Sequence, residues 1–488
     1  MASINVLLFC LLAAVIECAK FPPGFKFGAA TSAYQTEGSW NASDKSESIW
    51  DRFTHTSKVI RDGSNGDVAC NSYVDWKDDI QMAVDLGLDF YRFSISWTRL
   101  LPTGYPDYIS KDGKRYYSKL IKGLLKKGVE PVVTLFHWDL PQRLQDLGGW
   151  ANPLMAEYFA DYARVVYSLY ANQVKTWITI NEPLIMCDLA YNTGALAPGI
   201  VDPDFANYLC AKNVLIAHAK AWRIYDQEFR PKYHGQVSLA NQFIWLEPAT
   251  SEDVEITELL RQYQAGLYSH PIYSKTGGWP PIIEERIQQN SIEEGYFRSK
   301  LPSFTAEEID LVKGTYDFHG FNYYTSRLVR KAAEGEEIGP WPFVGAPEFG
   351  AIIDLSPDWK KLPYHWLQVF PEGMRRQMVW LREQYGDIPI LISENGYADA
   401  GHNLNDADRL DYYKQHLKQV LLGIHEDRLN ITGFTAWTLM DNFEWTDGYG
   451  AKFGLYQVDF ESPFRTRTPR DSAAFYKSVI HSRSIDDL

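Results

Sequence analysis

Along residues 20–488, short apolar runs rich in β-branched and aromatic side chains alternate with longer stretches whose apolar positions recur every three or four residues. The runs near 25–35, 89–97, 130–138, 175–182, 236–246, 317–325, 388–394 and 431–440 predict eight strands. The stretches 73–86, 115–127, 154–170, 206–228, 372–385 and 406–426 predict helices between them, and Gly87 and Gly128 are placed to close two. The strands read as apolar on both faces, as a parallel sheet covered by helices requires. Eight strand–helix units in a row predict an α/β fold, a single-domain (β/α)₈ barrel of the TIM type. A doubly wound sheet is the competing arrangement, and the count of eight favours the barrel. No linker divides the chain, whose length exceeds the ~250 residues usual for such a barrel. The surplus is expected in extended loops after the strands, notably the Gly/Pro-rich stretch 331–365.

The N-terminus departs from this alternation. Residues 6–16 form one apolar run, too short for the ~20 residues a membrane span needs, and no basic residue precedes it. This predicts a secretory signal over 1–19, a catalytic domain over 20–488 and an extracellular protein, with a gut lumen as one setting. No later segment is apolar enough to predict a membrane span. Of five cysteines, Cys10 and Cys18 fall in the leader, leaving Cys70, Cys187 and Cys210. An odd set permits at most one bridge, and Cys187 with Cys210 is the pair nearest in sequence. The sequons at Asn41 and Asn430 are candidate glycosylation sites. A net charge of −14 argues against nucleic acid and anionic membrane partners. No Cys/His spacing predicts a metal, no phosphate loop predicts a nucleotide, and no cofactor is expected. Sixteen Trp and 30 Tyr suit a large core equally with a site for sugar rings, which present CH faces and hydroxyls.

Candidate chemistry sits at the predicted strand ends, where a barrel places its catalytic residues. Thr-Ile-Asn-Glu-Pro at 179–183 and Ile-Ser-Glu-Asn-Gly at 392–396 each bring a glutamate, Glu182 and Glu394, to the end of an apolar strand. Either acid alone reads equally well as an exposed strand cap. Together they match the paired carboxylates that glycosidic bond cleavage needs. Other strands end in Gln35, in His137 and Trp138, in Asn181, in Asn322 and Tyr324, and in the run from Trp437 to Glu444 and Trp445; Arg92 interrupts an apolar strand. Arg92 would hold Glu394 ionised and Tyr324 would donate a hydrogen bond to it, while Glu182 beside that charge would keep its proton. Taken singly, Arg92 could be a structural partner for a barrel acid and His137 a satisfied core histidine.

At these residues the chain resembles the β-glycosidases of glycoside hydrolase family 1, close to secreted animal and insect β-glucosidases, over nearly its whole mature length. The resemblance rests on the motifs at 25–38, 92–97, 137–139, 181–183, 322–325, 393–396 and 437–445. It implies Glu182 as acid/base and Glu394 as nucleophile, with Arg92, Asn322 and Tyr324 beside them. It further implies Gln35, His137, Asn181, Glu444 and Trp445 around the non-reducing sugar, Trp437 as stacking platform, Trp366 under the aglycone, and Trp138 and Phe453 among the substrate-binding residues. Gly278-Trp279-Pro280, Tyr397 and Ala451 depart from the common pattern, none at the catalytic pair. The expected activity is that of a retaining exo-β-glucosidase, with some galactosidase or fucosidase activity, acting on a small β-glycoside or short oligosaccharide. Glu444 would repel a 6-phosphate. The alternatives are an animal-type thioglucosidase acting on glucosinolates and a non-catalytic sugar-binding relative. Assembly stays open, a homodimer being one form.

Overall fold

The computed structural model describes residues 20–485 except His365 and His402; the expected signal segment 1–19 lies outside the described residues. Eight parallel strands close into a barrel: β1 (Lys26–Ala30), β2 (Phe90–Ser94), β3 (Glu130–Phe136), β4 (Thr176–Asn181), β5 (Gln236–Gln242), β6 (His319–Tyr323), β7 (Ile390–Asn395) and β8 (Ile431–Trp437). Each pairs with its neighbours in sequence, and β8 returns to pair with β1 (Ala30 opposite Trp437), so no sheet edge is left. That closure excludes the doubly wound sheet.

The surrounding helices include α1 (Ser72–Leu86), α2 (Lys111–Lys126), α3 (Met155–Tyr170), α4 (Pro183–Tyr191), α5 (Ala206–Ile224), α6 (Pro371–Tyr385), α7 (Ala407–His425) and α8 (Asp471–Ser482). Gly87 ends α1 in the left-handed region (φ 75°), where its lack of Cβ costs nothing. The strands carry two cores. Phe90, Val132, Ile178, Ala240, Phe318 and Leu391 form a separate small cluster, one residue from each of β2 to β5, one just before β6 and one from β7, which fills the barrel interior. A much larger cluster, including Trp97, Trp150 and Trp177, fills the space between strands and helices.

Two expectations need correction in detail. Gln35 is not on a strand: β1 stops at Ala30 and Gln35 lies in a one-turn helix, Ala33–Thr36. The stretch 331–365 is not all loop either. It contributes Gly345–Ala346 and Ala351–Asp354 to a four-stranded sheet with Trp245–Pro248 and Ser326–Lys331, set beside the barrel mouth. Gly and Pro break the apolar alternation there, so the pairing partners, not the local pattern, define those strands.

Candidate active site

The C-terminal ends of the strands converge on one buried network. The Arg92 guanidinium leaves β2 and donates to Glu394 Oε1 and the Ser393 carbonyl from Nη1 (2.7 and 2.8 Å), to Asn181 Oδ1 from Nη2 (2.7 Å) and to Thr134 Oγ1 from Nε (3.1 Å). Tyr324 OH donates to the other Glu394 oxygen (2.7 Å). Asn322 Nδ2 donates to Glu182 Oε1 (2.6 Å) and Asn181 Oδ1 (3.2 Å), and its own carbonyl accepts from Ser393 Oγ (2.6 Å). Strands β2, β4, β6 and β7 are thus tied together through their polar ends, with Glu182 and Glu394 in the same network.

The two glutamates differ in their partners. Burial raises both carboxyl pKa values. Glu182 rises well above the usual carboxylate range because the Glu394 charge adds to burial and only Asn322 and the more distant Arg92 oppose. Glu394 rises less, because Arg92, the hydrogen bond from Tyr324 and the nearby Asn322 amide pull the other way. The first proton lost by the pair therefore comes from Glu394, leaving Glu182 protonated.

Glu182 itself follows β4 in the left-handed region (φ 47°), as do Trp138 (φ 75°) and Trp445 (φ 49°). Non-glycine residues there cost of order 1 kcal/mol each, and such strain gathers where a side chain must be aimed. Gly396 shows the same crowding: a Cβ there would sit 1.9 Å from the Trp437 carbonyl oxygen, so only glycine lets β7 leave past β8.

Beside the acids lies a polar ring. Gln35 Nε2 donates to Glu444 Oε2 and Asn442 Oδ1 (both 3.1 Å), and its oxygen is fixed by Ser32 Oγ (2.6 Å). His137 Nε2 faces Asn181 Nδ2 (3.2 Å), whose amide orientation is set because its oxygen already accepts from Arg92 and Asn322. Nε2 is therefore the acceptor, and the proton sits on Nδ1, which has no protein partner. Burial and Arg92 push His137 far below the usual range, so the ring is neutral. It lies parallel to Trp437 (5.7 Å) and Trp445 (5.9 Å). Trp138 Nε1 donates to the Asn181 carbonyl (2.9 Å). Glu444 was expected as a plain carboxylate; burial, Asp447 and Glu394 instead raise its pKa well above the usual range.

These groups open into a cleft of about 290 Å³. Its inner end holds His137, Glu182, Glu394, Trp437, Glu444 and Trp445; Trp366, Phe453, Ile185, Leu189, Ala195, Leu196 and Phe343 wall the outer part, with Thr446 and Asp447. Among the described residues no Lys or Arg lines it. The sequence reading missed the roles of Thr134 and Ser393, which are purely long-range, and the aliphatic wall, which carries no chemical signal. A wider depression of about 610 Å³ lies elsewhere, between α1 and α8 near Arg467, and contains none of these groups. Among the described residues no cluster of His, Cys, Asp or Glu is arranged to hold a metal ion, and no helix is long and apolar enough to cross a membrane.

A parallel barrel carrying two buried, unequally partnered glutamates at its strand ends is the framework of a glycoside hydrolase. The family described as Glycosyl hydrolase family 1 matches residues 17–485, and the chain belongs to that family. It is 44% identical over 468 residues to Myrosinase 1 of Brevicoryne brassicae, covering 94% of this chain and 98% of that protein. It is 40% identical over 474 residues to the cytosolic β-glucosidase of Homo sapiens, covering 96% and 99%. Among solved structures, aphid myrosinase superimposes with a TM-score of 0.89 at 42% identity, covering 95% of this chain and 99% of that one.

Proposed function

We propose that the protein is a secreted, retaining exo-β-glucosidase that removes a terminal non-reducing β-glucosyl residue, with lesser action on galactosyl or fucosyl residues, from a neutral and largely apolar aglycone. The unequal partnering of the glutamates carries this reading. Glu394, its charge held by Arg92 and Tyr324, attacks the anomeric carbon as Glu182 passes its proton to the departing glycosidic oxygen. The ester so formed removes the Glu394 charge, and the pKa of Glu182 falls. Glu182 then takes a proton from the water that attacks the anomeric carbon from the side the aglycone left, and Glu394 departs as a carboxylate. Two inversions return the β configuration. Gln35, Glu444, Trp445 and the His137 Nδ1–H serve the sugar hydroxyls, Trp437 the ring face, and Asn181 the 2-hydroxyl, a contact that strengthens in the transition state.

Secretion is supported by the apolar run 6–16, by the bonded pair Cys187–Cys210 and by the exposure of both sequon asparagines, Asn41 and Asn430.

The second reading, a thioglucosidase, is favoured by the 44% identity to Myrosinase 1. Glucosinolates are anions, however, and among the described residues the outer cleft presents Asp447 and no lysine or arginine. One assay separates the readings. The purified protein should cleave an aryl β-glucoside and salicin with a higher kcat/KM than a glucosinolate, and proton NMR should show β-glucose as the first sugar released. Preference for the glucosinolate would replace the β-glucosidase reading with the thioglucosidase one; α-glucose appearing first would sink the retaining mechanism.

A further inference from the structure

Asp188 lies in α4, six residues beyond Glu182, and is only 5% exposed. Its carboxylate faces no cation among the described residues. Oδ2 accepts from the indole N–H of Trp341 (2.9 Å) and Oδ1 from the amide of Asn207 (3.3 Å), and burial pushes the carboxyl up to about 7. A buried carboxyl of this kind is costly unless its hydrogen bonds are made.

The three residues come from three separate places. Asp188 is on α4, the helix that starts directly after Glu182, Asn207 is on α5, and Trp341 belongs to the loop beyond β6. Next to Asp188, Cys187 is bonded to Cys210, which fixes α4 to α5 at this point. The Trp341 ring packs edge-on against Tyr263 (5.1 Å), whose hydroxyl meets that of Tyr208 on α5 (3.1 Å). Two residues beyond Trp341, Phe343 forms part of the cleft wall, with Ile185 and Leu189 of α4. The backbone on either side of Trp341 has little regular pairing: 337–340 is without secondary structure and 341–344 is a turn.

We propose that Asp188 is a positioning residue for aglycone recognition: by holding the Trp341 indole against the stapled α4–α5 pair, it sets Phe343 on the outer wall of the cleft. This rests on the proposed glucosidase reading, because it takes the outer cleft as the aglycone site. Neither Asp188 nor Trp341 touches the reacting atoms. The anchor acts on how tightly a large aglycone is held and leaves the chemistry at Glu182 and Glu394 alone.

Two substrates isolate that effect: an aryl β-glucoside with a bulky aromatic aglycone, and β-glucosyl fluoride, which has none. Trp341→Phe keeps the ring and deletes the N–H. It should raise KM for the aryl glucoside roughly tenfold, the loss of one hydrogen bond, with kcat little changed and both constants for the fluoride unchanged. Asp188→Ala should do the same. Asp188→Asn should restore wild-type behaviour, since its amide oxygen still accepts from Trp341 and its NH₂ can donate to the Asn207 oxygen, which has no other partner. An unchanged aryl KM in Trp341→Phe, or equal losses on both substrates, would overturn the proposal. Hydrogen exchange of the 340–349 amides reads the anchor without turnover. It should be faster in Trp341→Phe and Asp188→Ala than in wild type or Asp188→Asn, and equal exchange in all four overturns the anchor. A wild-type protein that cleaves neither substrate would sink the glucosidase reading instead.

Discussion

At the scale of single residues, what distinguishes Glu182 from Glu394 is who donates to them. Glu394 receives from Arg92 and Tyr324, whereas Glu182 receives from Asn322 alone and feels its neighbour's charge. In the proposed mechanism the rate needs an ionised Glu394 and a protonated Glu182, and kcat/KM should be bell-shaped, its limbs belonging to the coupled pair. Tyr324→Phe removes a donor to the ionised form of Glu394. The pKa of Glu394 then rises, and the acid limb should move to higher pH by about one unit, the equivalent of one such hydrogen bond. A shift to lower pH, or none, would contradict the assignment. Glu182→Ala should cost about 10²–10⁴-fold on substrates with poor leaving groups and far less on activated aryl glucosides, with azide restoring rate as β-glucosyl azide. Equal losses on both classes would count against Glu182 as acid/base.

At the scale of elements, the strands that build the barrel were legible because burial on both faces leaves near-continuous apolar runs. Six of them, β3 to β8, hand a polar or aromatic residue to the cleft at or just beyond their C-terminal ends (His137, Glu182, Gln242, Tyr324, Glu394 and Trp437), which is why most of the inner site could be read from residue order. Gln35 was misplaced onto a strand because the apolar pattern continues past Ala30, while the chain has already turned into a helix held by Thr36 and Glu37 amides bonding back to Ser32 and Ala33. The outer cleft was not legible. Ile185, Leu189, Leu196 and Phe343 are ordinary apolar residues, and only the docking of the 331–365 stretch on α4 makes them a wall. The Cys187–Cys210 bond joins elements that both carry wall or anchor residues, and it closes a separation of 23 residues. Replacing both cysteines with serine should lower unfolding free energy by roughly 3 kcal/mol from loop closure alone, read as a fall in the urea midpoint. No fall would mean that α4 and α5 are held by packing. Cys70 offers an internal control: it is buried and its thiol is pushed up, so a thiol reagent should leave the folded protein unlabelled.

At the scale of the whole molecule, the interior holds two opposing sets of titrating groups. His218, His319 and His416 are buried and depressed to about 4, about 4 and about 3, with burial the main cause. Below the unfolded value near 6.5 the unfolded chain takes up protons that the folded one refuses, so these histidines lower stability as pH falls from about 6.5 towards 4. Asp139 is raised to about 7 by burial and by Glu37. Its folded form keeps a proton that the unfolded chain releases near pH 4, so its contribution is greatest in acid and is lost as pH rises from about 4 to 7. The two effects share one pH window with opposite signs, and the net profile alone would hide both. Difference measurements separate them. Relative to wild type, His416→Gln should gain stability as pH is lowered from 6.5 to 4, because the replacement has no proton to refuse. Asp139→Asn should gain as pH is raised from 4 to 7, because the amide never has to ionise. Urea unfolding across that range, each variant subtracted from wild type, should give two lines of opposite slope. Differences that run parallel, or that do not vary with pH, would mean that these groups are hydrated in the folded protein.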